Sequence, residues 1–239
     1  YNYRYYGDSF VAGSTILQID LPDTITHIGN SAFRDCKSLT TIHLTEAVTT
    51  IDERAFAGCP NLDFGPLSFP NLRTIGHGAF YGCTGLSSVS FSSALTSIGG
   101  EAFSGCRTLE PFAFPDSLTT IGHSAFRDCV KFRTVTLGPN VTSLGYSAFY
   151  GCDQITSVTV NSPVTLPRTL FGNCSNLVSV VIGDNVTGLG PASDTHPFYR
   201  CPKITSFRIG SGVTAIPNYY FYNYRYYGDS FVAGSTILQ

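Results

Sequence analysis

The sequence contains no methionine. A chain without an initiating residue is expected to be a mature piece, or a window cut from something longer. Charge is scarce too: Asp, Glu, Lys and Arg make up 13% of 239 residues, and the formal net charge is −2. That balance gives no general pull toward nucleic acid or an acidic membrane surface. No apolar run approaches the ~18 residues of a membrane-spanning helix, so no span is expected in this stretch. Catalytic signatures are missing as well. No serine has a placed His–Asp partner and no Gly-rich phosphate loop occurs, so no catalytic residue and no cofactor are assigned, and the chain is not expected to be an enzyme. The cysteines stand singly at long intervals. That is neither C-x-x-C nor a zinc pattern, and no metal site is expected.

What the sequence does contain is a period, and a period takes precedence over any motif. Cys36, Cys59, Cys83, Cys106, Cys129, Cys152, Cys174 and Cys201 are spaced by 23, 24, 23, 23, 23, 22 and 27 residues. A phenylalanine lies three residues before each: Phe33, Phe56, Phe80, Phe103, Phe126, Phe149, Phe171 and Phe198. "SLTTIHLTEAVTTIDERAFAGC" is one copy, and "LTSIGGEAFSGC" and "VTSLGYSAFYGC" end two others. Aligned, the copies read L-x-x-I-x-L-(P)-x-x-V-T-x-I-G-x-x-A-F-x-x-C. "KITSFRIGSGVTAIPNYYF" continues the register with Phe221 in the Phe column, and Tyr224 stands where the next cysteine falls.

The pattern resembles the leucine-rich repeat, and within it the BspA-like subclass found in surface proteins of bacteria and some protists. The resemblance covers residues 14–221. It implies an extracellular or cell-surface solenoid and, for some members, adhesion to host proteins or other cells. It says little about chemistry, because the family is defined by its scaffold.

The residues give the same architecture on physical grounds. "TTIHL" alternates β-branched and polar residues as a short half-buried strand does, and "AVTTI" is a second one. "RAFAGC" is too short for an independent helix and is expected to form a single helical turn. The fold class is therefore an α/β repeat solenoid, mostly β: a stack of about nine 22–27-residue coils, each with two short parallel strands and one helical turn. In coil two, Leu39, Ile42, Leu44, Val48, Ile51, Phe56 and Cys59 should point inward; in coil nine, Ile204, Phe207, Ile209, Val213, Ile216 and Phe221. The Phe column is core. The Cys column is expected to hold buried free thiols, since inward side chains ~4.8 Å apart exceed the ~3.5–4.5 Å between the Cβ atoms of a disulfide. His77 and His123 share a column two coils apart, ~10 Å by strand spacing and too far to ligate one ion.

The segment "YNYRYYGDSFVAGSTILQ" occupies both 1–18 and 222–239 without one change. Both copies sit at the same phase of the repeat, so the sequence re-enters itself with a superperiod of 239 − 18 = 221 residues. Residues 222–234 are a Tyr-rich insertion identical to 1–13, and 235–239 begin the first strand of a following unit. The whole reads as one continuous solenoid. A tandem array of 221-residue units accounts for this and for the missing methionine. An engineered overlap and a non-covalent polymer are the alternatives; in the latter both copies would compete for one strand position. Without polar caps such coils stack into an open fibre, with an axial repeat of roughly 9 × 4.8 ≈ 43 Å per unit.

Three surface features remain. "NVT" at Asn140 and at Asn185 falls in the same inter-strand turn of coils six and eight, and "NCS" places a third sequon at Asn173; all three are candidates for N-linked glycans. Tyr219, Tyr220, Tyr222, Tyr224, Arg225, Tyr226 and Tyr227 are candidate assembly contacts, because Tyr and Arg anchor interfaces; packing of the insertion on its own solenoid is the other reading. An insertion at 190–201 carries Asp194 and His196, too few groups for a metal site. The expected function is thus a structural one: an extracellular or surface filament whose partners are copies of the chain itself. The alternative is an adhesin or ligand-binding module using the solenoid face. The exposed strand positions, mostly Ser and Thr, suit the filament better.

Overall fold

The structure, a computed structural model, describes residues 15–63, 68–91, 93–192, 195–218 and 220. Short strands alternate along it in chain order: β1 (Gln18–Asp20), β2 (His27–Ile28), β3 (Thr41–His43), β4 (Thr50–Ile51), β5 (Ser68–Phe69), β6 (Thr74–Ile75), β7 (Ser90–Phe91), β8 (Ser97–Ile98), β9 (Thr120–Ile121), β10 (Thr134–Leu137), β11 (Ser143–Leu144), β12 (Ser157–Val160), β13 (Ser179–Ile182) and β14 (Ser206–Ile209). Every pairing is parallel and joins like positions of successive coils. Ile51, Ile75, Ile98, Ile121 and Leu144 are in register through the six-stranded sheet β2-β4-β6-β8-β9-β11. On the other face Val135, Val158, Val180 and Phe207 align through β10-β12-β13-β14. With the two-stranded sheets β1-β3 and β5-β7, these short parallel ladders make a β-solenoid of about eight coils, with β14 opening a ninth.

The core runs the length of the stack because each coil contributes the same positions. Leu39, Ile42, Val48, Ile51, Phe56 and Cys59 are at most 2% exposed, while Leu44 is only half-buried. In coil nine, Ile204 and Phe207 are buried and Ile209 and Val213 half-buried. Ile216 does not join the column: it is 55% exposed, and no second strand forms in coil nine among the described residues.

The expected helical turn is absent. Among the described residues no helix forms, and "RAFAGC" and its equivalents are runs of turns. The reason is where the backbone hydrogen bonds go. Arg54, Phe56 and Gly58 donate their N–H groups to His77, Ala79 and Tyr81 of the next coil, at 2.8, 2.8 and 2.7 Å. Alternate amides thus point along the solenoid axis, where a helix would close them within the segment. That orientation needs a left-handed residue every fourth position: Arg54 (φ 53°) and Gly58 (φ 72°), Glu101 (φ 57°) and Gly105 (φ 78°), Ser124 (φ 52°) and Asp128 (φ 59°). The inter-coil bonds offset the strain of positive φ at the non-glycine residues. The turn face is in effect a third ladder.

Coil five departs from the pattern on the first sheet. Residues 110–115 form no strand, so β7 and β10 do not join. Pro111 and Pro115 flank this stretch and remove ladder donors. Phe112 and Phe114 tuck in instead, Phe114 meeting Phe126 edge-on at 5.5 Å and Phe112 meeting Phe132 at 5.8 Å.

Candidate functional site

The Phe column is a continuous stack of rings. Centroid separations from Phe33 to Phe198 run 5.2, 5.4, 5.2, 5.4, 5.3, 5.3 and 5.8 Å, with planes within 14° of parallel. Beside it, all eight cysteines are free and buried. Each thiol from Cys59 onward donates to the carbonyl of the Phe one coil below: Cys83 Sγ to Phe56 O at 3.0 Å, Cys106 to Phe80 O at 3.1 Å, Cys152 to Phe126 O at 3.0 Å. Burial pushes these thiols up, Cys106 and Cys201 to about 12, so they are protonated and inert. The column is structural material.

The Ser and Thr of the strand faces are likewise engaged. Thr49, Thr96 and Thr119 each donate a side-chain hydroxyl to a carbonyl of the coil below, at 3.1 Å. Asn61, Asn71, Asn140 and Asn176 do the same through Nδ2 at the turns. These polar side chains clamp neighbouring coils together.

The turn face carries the chemistry that sequence reasoning missed. The second residue after the recurring Ile or Leu (Ile75, Ile98, Ile121, Leu144, Leu166) is His77, Gly100, His123, Tyr146 and Arg168 in coils three to seven. His77 and His123 are not ~10 Å apart, as strand spacing alone gives: their ring centroids are 5.6 Å apart. Gly100 between them has no side chain, and the His123 ring lies across the space where a Cβ would stand, 2.5 Å from its Cε1. Glu101 reaches both imidazoles, 3.8 Å from His77 Nε2 and 3.9 Å from His123 Nε2. Among the described residues no group of three or more His, Cys, Asp or Glu could hold a metal ion. The ladder continues upward: His123 stacks on Tyr146 at 5.2 Å, and the Arg168 guanidinium lies over that ring at 4.6 Å. Residue columns at 22–24-residue spacing were visible in the sequence; the sideways lean of these rings was not.

Arg168 stands at the rim of a groove of about 630 Å³ that crosses coils seven to nine. On that face the six-stranded sheet ends at β11, and coils seven and eight share the isolated bridge Thr165–Gly188.

Asn140, Asn185 and Asn173 are all exposed. Asn140 follows β10, and its Nδ2 donates to Asp116 O at 2.8 Å. Asn185 follows β13, with Val186 fully buried behind it. Asn173 sits at φ 60° beside the buried Cys174. In the Tyr-rich stretch, Tyr220 is 3% exposed, and its hydroxyl donates to Leu189 O at 2.8 Å. Its ring meets that of His196 at 4.2 Å. Burial lowers the His196 imidazole to about 3, and its Nδ1 accepts the Phe198 N–H at 3.0 Å. Tyr219, Tyr222, Tyr224, Arg225, Tyr226, Tyr227, Phe221 and Asp194, with both copies of the repeated segment up to residue 14 and from 221, lie outside the described residues.

Two overlapping stretches, residues 6–129 and 98–227, match the family described as BspA type leucine rich repeat region, in six copies. A crystal structure of a leucine-rich-repeat protein from T. pallidum is similar at 28% identity and a TM-score of 0.50, over 71% of this chain and 74% of that one. One from Eubacterium ventriosum is similar at 20% identity and 0.49, over 87% and 76%. A leucine-rich cell surface protein from Faecalibacterium prausnitzii is similar at 21% and 0.43, over 84% and 75%. No curated protein matches the chain.

Proposed function

The chain belongs to the family of BspA-type leucine-rich-repeat proteins, and from that premise we propose that it is a structural protein of an extracellular or cell-surface filament. In this reading 221-residue units follow one another end to end, each handing its core columns to the next. The observation that carries it is the identity of residues 1–18 and 222–239 at one phase of the repeat. Neighbouring 23-residue copies have diverged widely, so an unchanged 18-residue segment points to duplication of the whole unit. The parallel ladders support it physically. They leave β1 and β2 at one end and β14 at the other as edge strands with which a further coil can pair.

The assembly contacts in this reading are Tyr219, Tyr222, Tyr224, Arg225, Tyr226 and Tyr227, and glycans occupy the exposed Asn140 and Asn185, with Asn173 a third acceptor. Mass spectrometry of native material tests both points. Peptides that run from the sequence before Tyr222 through a complete second copy into "IDLPDTITHIG" are expected, as are glycan-bearing peptides at Asn140 and Asn185. A native polypeptide with only one passage through the 221-residue unit, and no second "IDLPDTITHIG", would overturn the tandem array.

A further inference from the structure

The groove across coils seven to nine is built differently from the rest of the solenoid surface. Pro167, Pro191 and Pro217 line it at successive coils, and without an N–H they cannot extend the ladder. Between coils seven and eight the backbone is already paired: Leu166 donates to Gly188 O at 2.9 Å and Thr187 to Val164 O at 3.0 Å. Side chains add further polar groups. Thr165, Thr187 and Thr214 present hydroxyls in three consecutive coils, the first two 3.4 Å apart. Between them the floor is apolar, from the half-buried prolines and the exposed Ala215, with Leu166 and Leu189 buried beneath.

Arg168 is the one charged residue among the described residues that line this groove. It is exposed, and among the described residues it has no ion-pair partner. Its guanidinium carbon lies over the Tyr146 ring at 4.6 Å, and Tyr146 is in turn stacked with His123 at 5.2 Å. A guanidinium so placed keeps N–H groups for a carboxylate, which it grips with two parallel hydrogen bonds. Because the side chain is already placed, little rotamer freedom is lost on binding.

We infer that this groove binds a carboxylate-bearing saccharide, with the carboxylate on Arg168, the sugar hydroxyls on the threonine row and the ring faces on the proline floor. A ligand rich in hydroxyls with flat apolar faces matches that lining. The inference rests on the solenoid alone and is independent of filament assembly.

Calorimetric titration of the 239-residue chain with trigalacturonic acid and with sialyllactose tests it, the two arms separating uronic from sialic acids. At least one is expected to bind, and galactotriose, which lacks a carboxylate, at least about 10-fold more weakly. Arg168→Ala is expected to weaken binding about 10-fold or more, Arg168→Lys less, and Tyr146→Leu to fall between, with unchanged circular dichroism because both side chains are exposed. Binding of neither acid overturns the inference. So does equal affinity of Arg168→Ala and the parent chain, or an octaglutamate peptide binding as tightly through Arg168, which would make the ligand an acidic peptide.

Discussion

The Cys106 thiol donates to the carbonyl of Phe80, one coil below, at 3.1 Å. The contact explains why the repeat places a cysteine three residues after each phenylalanine. A buried carbonyl needs a second donor, and a thiol supplies it while remaining small and apolar. In the fold these thiols are held protonated by burial. Their folded pKa lies above the unfolded value of ~8.5, so the stability they contribute is complete below that pH and is lost as pH rises through and above it. The melting temperature is expected to be flat from pH 7 to 8.5 and to fall above about pH 9. Iodoacetamide at pH 8.5 should label no described thiol in the native chain and all eight in urea. Rapid native labelling would contradict the buried column.

Phe103 is fully buried, stacked between Phe80 at 5.2 Å and Phe126 at 5.4 Å. Phe103→Ala is expected to cost about 3–5 kcal/mol in urea unfolding, since the cavity breaks the column from both sides. Tyr81 sits in the same turn of coil three but is 51% exposed, and Tyr81→Ala should stay within about 0.5 kcal/mol.

Two glycines of adjacent coils should behave oppositely. A Cβ on Gly122 would lie 2.2 Å from the backbone nitrogen of Gly100 in the coil below. Gly122→Ala is therefore expected to cost at least about 1–3 kcal/mol, because backbone has to move. A Cβ on Gly100 meets the side chain of His123, at 2.5 Å, and a side chain can swing aside. Gly100→Ala should cost well under 1 kcal/mol while separating the His77 and His123 rings, readable as changed imidazole chemical shifts.

His196 is buried against Tyr220 and held neutral, its pKa lowered to about 3 by burial. Its folded pKa is below the unfolded value of ~6.5. The stability tied to it is therefore full above pH 6.5 and is lost as pH falls toward 3, by up to about 1.4 kcal/mol per pH unit. His196→Asn keeps an acceptor for the Phe198 N–H and cannot titrate, so its unfolding free energy should be flatter across pH 4–6.5. Equal acid sensitivity of both proteins would remove His196 as the cause.

The columns of the solenoid were legible in the sequence because each position recurs at one phase: Phe33 to Phe198, Cys36 to Cys201, and the strand pairs such as Ile51 over Ile75. The turn face was not. A helical turn and an axial ladder use the same residues, "RAFAGC", and differ in the sign of φ at Arg54 and Gly58, which residue type does not fix: glycine takes either sign, and an arginine gives no signal of a positive one. The missing strand of coil five was signalled by Pro111 and Pro115 but masked by the regularity around it. The closeness of His77 and His123 depends on what Gly100 lacks, and the placement of Arg168 on what Tyr146 offers one coil away. Both are relations between coils that a one-dimensional pattern does not contain.

Negative-stain or cryo-electron microscopy of the native material tests the filament most directly. Fibres with an axial periodicity of roughly 43 Å, nine coils at ~4.8 Å each, are the result the tandem-unit reading gives. Discrete particles of a single unit, with no axial repeat at any concentration, would contradict it.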